Sequence, residues 1–201
     1  QRLVAGDWPM HWSGHYRFVA DDPLKAAGKD SGLGGSSVLE LLAPVLKAST
    51  QNVSIISPYF VPGEAARMAL TSAALRGLDV RVIVPAKSDS IIVSAAARSY
   101  YDDLISAGVR VFEYGPRMLH SKALLVDEDL CVIGSANFDH RSFRLNFELS
   151  LLMHGRELAS TLEASLVEDL GHCREITADR PAAPFLRRLG EACARLLSPL
   201  L

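Results

Sequence analysis

The stretch from Leu119 to Glu148, LHSKALLVDEDLCVIGSANFDHRSFRLNFE, gathers side chains with chemistry to offer. His120 and Lys122 stand two apart, Ser135 and Asn137 stand two apart, and Glu148 closes the run. An imidazole can attack phosphorus and hold it as a phosphohistidine. A lysine is a compact, strongly hydrated charge suited to a phosphate oxygen. A carboxylate bonded to one ring nitrogen fixes a histidine's tautomer and leaves the other nitrogen free. Glu148 is the candidate for that role. Ser135 and Asn137 can donate to non-bridging oxygens as charge builds on them. Lys122 supplies the positive charge, so no metal is called for, and no carboxylate cluster stands by to hold one.

To position these groups, the stretch reads as a strand carrying His120 and Lys122, a tight turn, and a second strand ending at Gly134. A polar loop follows, then a third strand carrying Glu148. Side chains two apart on a strand share a face, so His120 and Lys122 are expected together. Glu148 alternates with Phe147, Leu149 and Leu151, which sets it opposite an apolar face. Upstream, VSIISP, DVRVIVP and VRVFEYG are β-branched runs. Helical spacing separates them at Glu64–Arg76 and again from a cap at Ser88 or Asp89 to about Ala107. Gly77 and Gly108 stop these helices. That order predicts parallel strands joined by helical crossovers, to which the 119–153 block adds hairpin-like strands. The expected fold is α/β, a mixed sheet flanked by helices.

Ser37 is expected to cap VLELLAPVLKAST, with a kink or late start at Pro44. Gly28 to Ser37 reads as linker. Arg156–Gly171 and residues 182–200 read as amphipathic helices. The last one places Phe185, Leu189, Ala192, Leu196 and Leu200 on one stripe. Arg187, Arg188 and Arg195 fall elsewhere, with Glu191 the one acid. Such a helix either lies in an anionic membrane surface or docks on its own domain. Tyr59 and Phe60 read equally as core aromatics or pocket residues, and Arg141 and Arg144 as surface charges or as partners of lipid headgroups.

The chain has 201 residues, enough for one sizeable domain. A formal net charge of −2 is a poor match for a nucleic-acid partner. Cys131, Cys173 and Cys193 have neither paired nor metal-like spacing, and Cys131 reads as a buried thiol. The absence of a leader or a long apolar run predicts no membrane span. Position 1 is Gln, so a piece of a longer chain is expected.

His120, Lys122, Asp127, Gly134, Ser135 and Asn137 fit the pattern H-x-K-x4-D-x6-G-[ST]-x-N. This resembles the phospholipase D superfamily. More narrowly, SPYFVPG at 57–63, Asp89–Ser90, LHSKALLVD, GSANFDHRSFRLNFELSL and the terminal LLSPLL are similar to the C-terminal half of bacterial cardiolipin synthases. YRFVADDPLKAAGKD resembles the segment between the two halves in one branch of that group. The resemblance implies a phospholipase D-like fold forming one half of a two-motif pseudo-dimer. Residues 1–37 would be the inter-half segment and linker, and 38–201 the catalytic half-domain. It implies phosphatidyl transfer through a phosphohistidine, without a cofactor. His120 would be nucleophile or general acid, Lys122, Ser135 and Asn137 phosphate ligands, and Glu148 the group orienting a histidine. Asp127, at the far end of its strand, would be structural. The implied substrate is phosphatidylglycerol. The inter-half segment points to phosphatidylethanolamine as second substrate, RSFRLNFE to a second phosphatidylglycerol. The implied place is peripheral, on the cytoplasmic face of the bacterial inner membrane.

In-line transfer needs a nucleophile on one side of phosphorus and a proton donor on the other. One histidine cannot be both. His11, His15, His140, His154 and His172 have no lysine two residues on. The second motif must therefore come from a longer chain or a second copy. A lipid hydrolase, a homodimeric nuclease and a non-catalytic supporting half-domain remain the rival readings.

Overall fold

The computed structural model describes residues 15–21, 37–115, 118–181 and 183–200. Trp8, Trp12 and most of the run read as a linker lie outside the described residues. The strands are β1 (His15–Asp21), β2 (Asn52–Ile56), β3 (Phe60–Val61), β4 (Asp79–Pro85), β5 (Arg110–Tyr114), β6 (Ala123–Val126), β7 (Leu130–Gly134), β8 (Phe138–Asp139), β9 (Glu148–His154) and β10 (Cys173–Ile176). The helices are α1 (Ser37–Ala48), α2 (Glu64–Leu75), α3 (Ile91–Arg98), α4 (Tyr101–Ser106), α5 (His140–Arg144), α6 (Arg156–Leu170) and α7 (Phe185–Leu196). A 3₁₀ turn at Ser198–Leu200 follows α7.

Eight strands form one mixed sheet in the order β1-β9-β7-β6-β2-β4-β5-β10. β2, β4 and β5 run parallel, as their Val- and Ile-rich sequences and helical crossovers predict. β6, β7, β9 and β1 continue antiparallel from β2, and β10 closes the other edge antiparallel to β5. β1 falls inside the segment read as lying between two halves, and it is the edge strand of this sheet. One face buries Val53, Ile55, Val80 and Val82 against Leu46 of α1, Leu70 of α2 and Leu104 of α4. The other buries Ile83, Phe112, Leu125 and Met153 against Ala159 and Leu166 of α6. Cys131 is a buried free thiol on that second face, as expected.

Helix α2 stops at Gly77 and α4 at Gly108, both at φ +94, where a side chain would be strained. Pro44 lies inside α1, which runs on to Ala48. The helix expected from Ser88 or Asp89 to Ala107 is corrected in two places. Its cap is Ser90, whose Oγ accepts from the backbone N–H of Val93. Asp89 is not free to cap, because it accepts from Tyr59 Oη at 2.7 Å. The helix also breaks between α3 and α4. There Ser99 Oγ donates to Ala96 O at 2.6 Å, and Arg195 donates to Ser99 O at 3.2 Å. A serine that bonds its own turn competes with the helix ladder.

Asp127 occupies the β6–β7 turn at φ 51, far from Lys122 along β6. Its carboxylate accepts from the backbone N–H of Thr50, Gln51 and Asn52 at 2.7, 2.9 and 3.0 Å, and so clamps the turn to the start of β2. Burial pushes its pKa up, but these N–H donors outweigh burial and hold it below the usual carboxylate value.

Replacing Asp127 by Ala should therefore cost about 1–3 kcal/mol at neutral pH. A lowered folded-state pKa means the stabilisation is full above the unfolded value of about 3.9 and is lost as pH falls through the folded value. Urea unfolding of wild type and Asp127→Ala should differ most at neutral pH and converge in acid. An equal gap at both would refute the clamp.

Candidate active site

The site forms on the sheet edge where β2 and β4 end and β6 begins. Pairing between β2 and β6 stops at Ile56 with Ala123. The strand expected to carry His120 and Lys122 therefore starts one residue after Lys122, and both residues lie in the lead-in segment. The physical reason is that β2 makes its last ladder bond from Ser57 N–H to Ile83 O and then bends, with Ser57 Oγ donating to Tyr59 O. Lys122 nevertheless folds back to the site. Its Nζ donates to His120 O at 3.0 Å, and the residue lines a pocket with Gly134, Ala136 and Asn137. The His120 side chain is exposed and has no hydrogen-bond partner among the described residues.

β7 then delivers Gly134–Asn137 to the same edge. At Gly134 a Cβ would sit 2.7 Å from Leu149 O and 2.8 Å from Ser150 Cα, closer than real side chains come. Only glycine lets β7 approach β9 this closely. The approach allows Ser135 N to donate to Leu149 O and Leu149 N to donate to Ser135 Oγ, both at 3.0 Å. It also sets Ser135 Oγ to donate to a Glu148 oxygen. The other Glu148 oxygen accepts from Asn146 Nδ2 at 3.1 Å. Glu148 is thus brought to Ser135 and Asn146, and no hydrogen bond joins it to His120. Glu148 stands opposite the apolar residues, as expected, and it is the carboxylate's side that is buried. Glu148 is 8% exposed, whereas Leu149 is 54% and Phe147 68% exposed.

Asn137 is held through its backbone, whose N–H donates to Ser142 Oγ at 3.0 Å. Its amide oxygen is buried and has no partner. A buried amide left unbonded costs free energy, which a ligand bonding it in the pocket would recover. Turned about its last torsion, the same amide presents two N–H donors. β3 and β8 pair in parallel, Phe60 with Phe138, and Phe138 N donates to Ser57 Oγ at 2.9 Å. These contacts lock the SPYF loop to the Ser135–Asn137 loop.

Burial lowers the Lys122 pKa, and the carboxylates of Glu148 and Asp139 act in the opposite direction. Asp139 is buried and its pKa is raised by that burial. It caps α5 by accepting from Ser142 N at 2.7 Å. The hydrogen bond from Tyr59 lowers the Asp89 pKa, and the same bond raises that of Tyr59.

A family model described as cardiolipin synthase, PLD-like domain, matches residues 42–170. The chain belongs to this family. It is 50% identical over 157 residues to a cardiolipin synthase A of Pseudomonas putida and 47% identical to one of Pseudomonas syringae. Each alignment covers 78% of this chain and 33% of the relative, so the chain spans about a third of their length. In fold it resembles Nuc of Salmonella typhimurium, a phospholipase D family member, at TM-score 0.65 and 17% identity. That likeness covers 82% of this chain and 99% of the other. It also resembles the phosphatidylserine synthase of Haemophilus influenzae at TM-score 0.66 and 14% identity, covering 92% of this chain and 48% of the other. The phospholipase D-like α/β fold expected from the motif is the one found.

Several contributors escaped the reading of the sequence. Asn146 lies two residues before Glu148 and so could share its face in extended chain, a signal that was available. Asp139-x-x-Ser142 is a capping pattern, but the helix it opens has five residues, too few to show periodicity.

Gly134→Ala should lower stability by about 1–3 kcal/mol through the forced separation of β7 and β9. The same change should pull Ser135 from Glu148. A thermal midpoint within error of wild type would show that the strands can absorb the methyl group.

Proposed function

We propose that this chain is the catalytic half of a cardiolipin synthase-type phosphatidyltransferase. In this reading residues 38–201 carry the chemistry and 1–37 connect them to a second motif. The observation that carries it is the pocket itself. Lys122 and Asn137 line a hollow whose remaining lining is mainly apolar, with Val19, Leu124, Val132, Phe138, Phe143 and Leu152 among it. The cavity itself is small, about 60 Å³. A phosphate-binding cation beside an apolar hollow suits an amphiphile better than a nucleic-acid backbone. Family membership supports the same class of reaction.

The reaction takes two displacements. A histidine nitrogen of the second motif attacks phosphorus of phosphatidylglycerol, and the bond from phosphorus to the glycerol headgroup breaks. His120 gives its proton to the departing glycerol oxygen. The hydroxyl of a second phosphatidylglycerol then attacks the phosphohistidine. It returns its proton to His120, and the phosphorus–nitrogen bond breaks to release cardiolipin. Lys122 and Asn137 hold the non-bridging oxygens through both steps. Ser135 reaches the phosphate by turning its hydroxyl away from Glu148. Glu148 does not bond His120 here, so the histidine it orients is that of the second motif.

A second half also has a surface to meet. Ile133 and Leu149 stay exposed on the face of β7 and β9 opposite Glu148, and Phe147 is exposed just before β9. Such a patch suits an apolar interface. No helix among the described residues is long and apolar enough to cross a membrane. Peripheral attachment to the cytoplasmic face of the inner membrane is part of this proposal.

The test is product analysis of the longest native chain supplied with phosphatidylglycerol, with and without phosphatidylethanolamine. Cardiolipin with released glycerol supports the reading, and released ethanolamine replaces the second substrate. Phosphatidic acid alone identifies a hydrolase instead. His120→Ala and Lys122→Ala should each cut turnover by a factor of about 100 or more. Near-normal turnover in either variant sinks the assignment.

A further inference from the structure

Helix α7 sits on the domain the wrong way round for a soluble helix. At about 100° per residue, Phe185, Leu186, Leu189, Ala192, Cys193, Leu196 and Leu197 fall on one broad arc. That arc faces outward, with Phe185 75% and Leu196 81% exposed. The opposite, polar arc makes the contacts. Glu191 accepts from Arg98 at 3.0 Å, and Arg195 donates to Asp103 at 2.9 Å while its guanidinium lies 4.4 Å over the Tyr100 ring. Tyr100 Oη meets Ser198 Oγ at 2.9 Å, and Ala194 is buried. These specific bonds fix which face points away.

The outward arc does not end with α7. Ile91 and Ile92 of α3 line a shallow apolar groove with Gly190, Cys193 and Leu197. Ile91 is 83% exposed. α3 follows the end of β4, on the sheet edge that carries Lys122, and the Ser198–Leu200 turn packs on α5, just past Asn137. The apolar surface therefore runs towards the pocket mouth. Its charge is also distinctive. The whole chain is net −2, yet α7 carries three arginines and one glutamate. Glu191 is shared by Arg98 and Arg187, and Arg188, beside the arc, pairs with no acid among the described residues.

We infer that the outer face of α7 and the start of α3 lie in the surface of an anionic bilayer, bringing the pocket to its lipid. Exposed leucines and isoleucines enter the acyl boundary while Arg188, beside the arc, meets phosphate headgroups. This deepens the lipid-transferase reading and rests on it.

Cys193 is a free, exposed thiol on the arc, so it can report locally. The longest native chain carries an environment-sensitive fluorophore at Cys193, with its other accessible cysteines replaced. Vesicles of equal phosphatidylglycerol and phosphatidylcholine should shift the emission to the blue and protect it from an aqueous quencher. Phosphatidylcholine vesicles alone should do so much less. Leu196→Asp should leave the thermal midpoint unchanged and weaken vesicle engagement at least about tenfold. Unchanged emission with both vesicles overturns the inference, as does emission already apolar before vesicles are added, which would mean that protein covers the arc. An equal response to neutral vesicles also overturns it as stated. Cardiolipin production without insertion at Cys193 leaves the proposed function standing alone. Insertion without lipid product does the reverse.

Discussion

The site depends on two backbones touching where no side chain intervenes. At Gly134, β7 lies against Leu149 and Ser150 of β9 closer than any Cβ permits. That contact is one link in a chain of registers: Ile56 opposite Ala123, Ala123 opposite Ile133, and Ile133 opposite Leu151. Because side chains alternate, a slip of one residue at any link would turn the next strand's groups to the other side of the sheet. Lys122, Asn137 and Glu148 come from separate segments, and only this run of antiparallel pairings puts them on one edge. The parallel half of the sheet, buried on both faces, supplies the rigid wall against which the meander is set.

Charge is balanced within that frame. Burial disfavours the Lys122 ammonium, and the nearby carboxylates of Glu148 and Asp139 favour it. Glu148 in turn is held by two neutral donors, Ser135 and Asn146, so no cation neutralises it directly. The arrangement keeps one positive point charge beside an apolar hollow without locking it into an ion pair. An anion entering the pocket meets a lysine that is not already spoken for.

Much of this was legible in the sequence, for identifiable reasons. The β-branched runs became β2, β4 and β5 because fully buried parallel strands need such residues, and DVRVIVP matches Asp79–Pro85 residue for residue. Gly77 and Gly108 marked helix ends because both take a left-handed conformation. The motif placed Lys122, Ser135, Asn137 and Glu148 near one another by spacing alone. What failed was whatever depends on tertiary partners. The start of β6 was set by where β2 runs out, and the cap of α3 by Tyr59 claiming Asp89. The stripe of α7 was legible except for Leu200, which falls in the turn after the helix, but which side docks stayed open, because polar anchoring by Tyr100, Arg98 and Asp103 is invisible to periodicity. Ser135 turned to Glu148 for the same kind of reason, a partner one strand away.

The carboxylate in the β6–β7 turn has a bearing on how degenerate relatives are judged. Among the described residues the Asp127 carboxylate bonds only the backbone of residues 50–52 and the Thr50 hydroxyl, at the end of the strand away from the pocket. Its loss in a homologue would signal a loosened scaffold, curable by compensating contacts elsewhere, whereas loss of the imidazole or ammonium would remove a group to which the proposed function gives a chemical role. Counting all motif letters equally when sorting pseudoenzymes from living ones therefore mixes two kinds of decay.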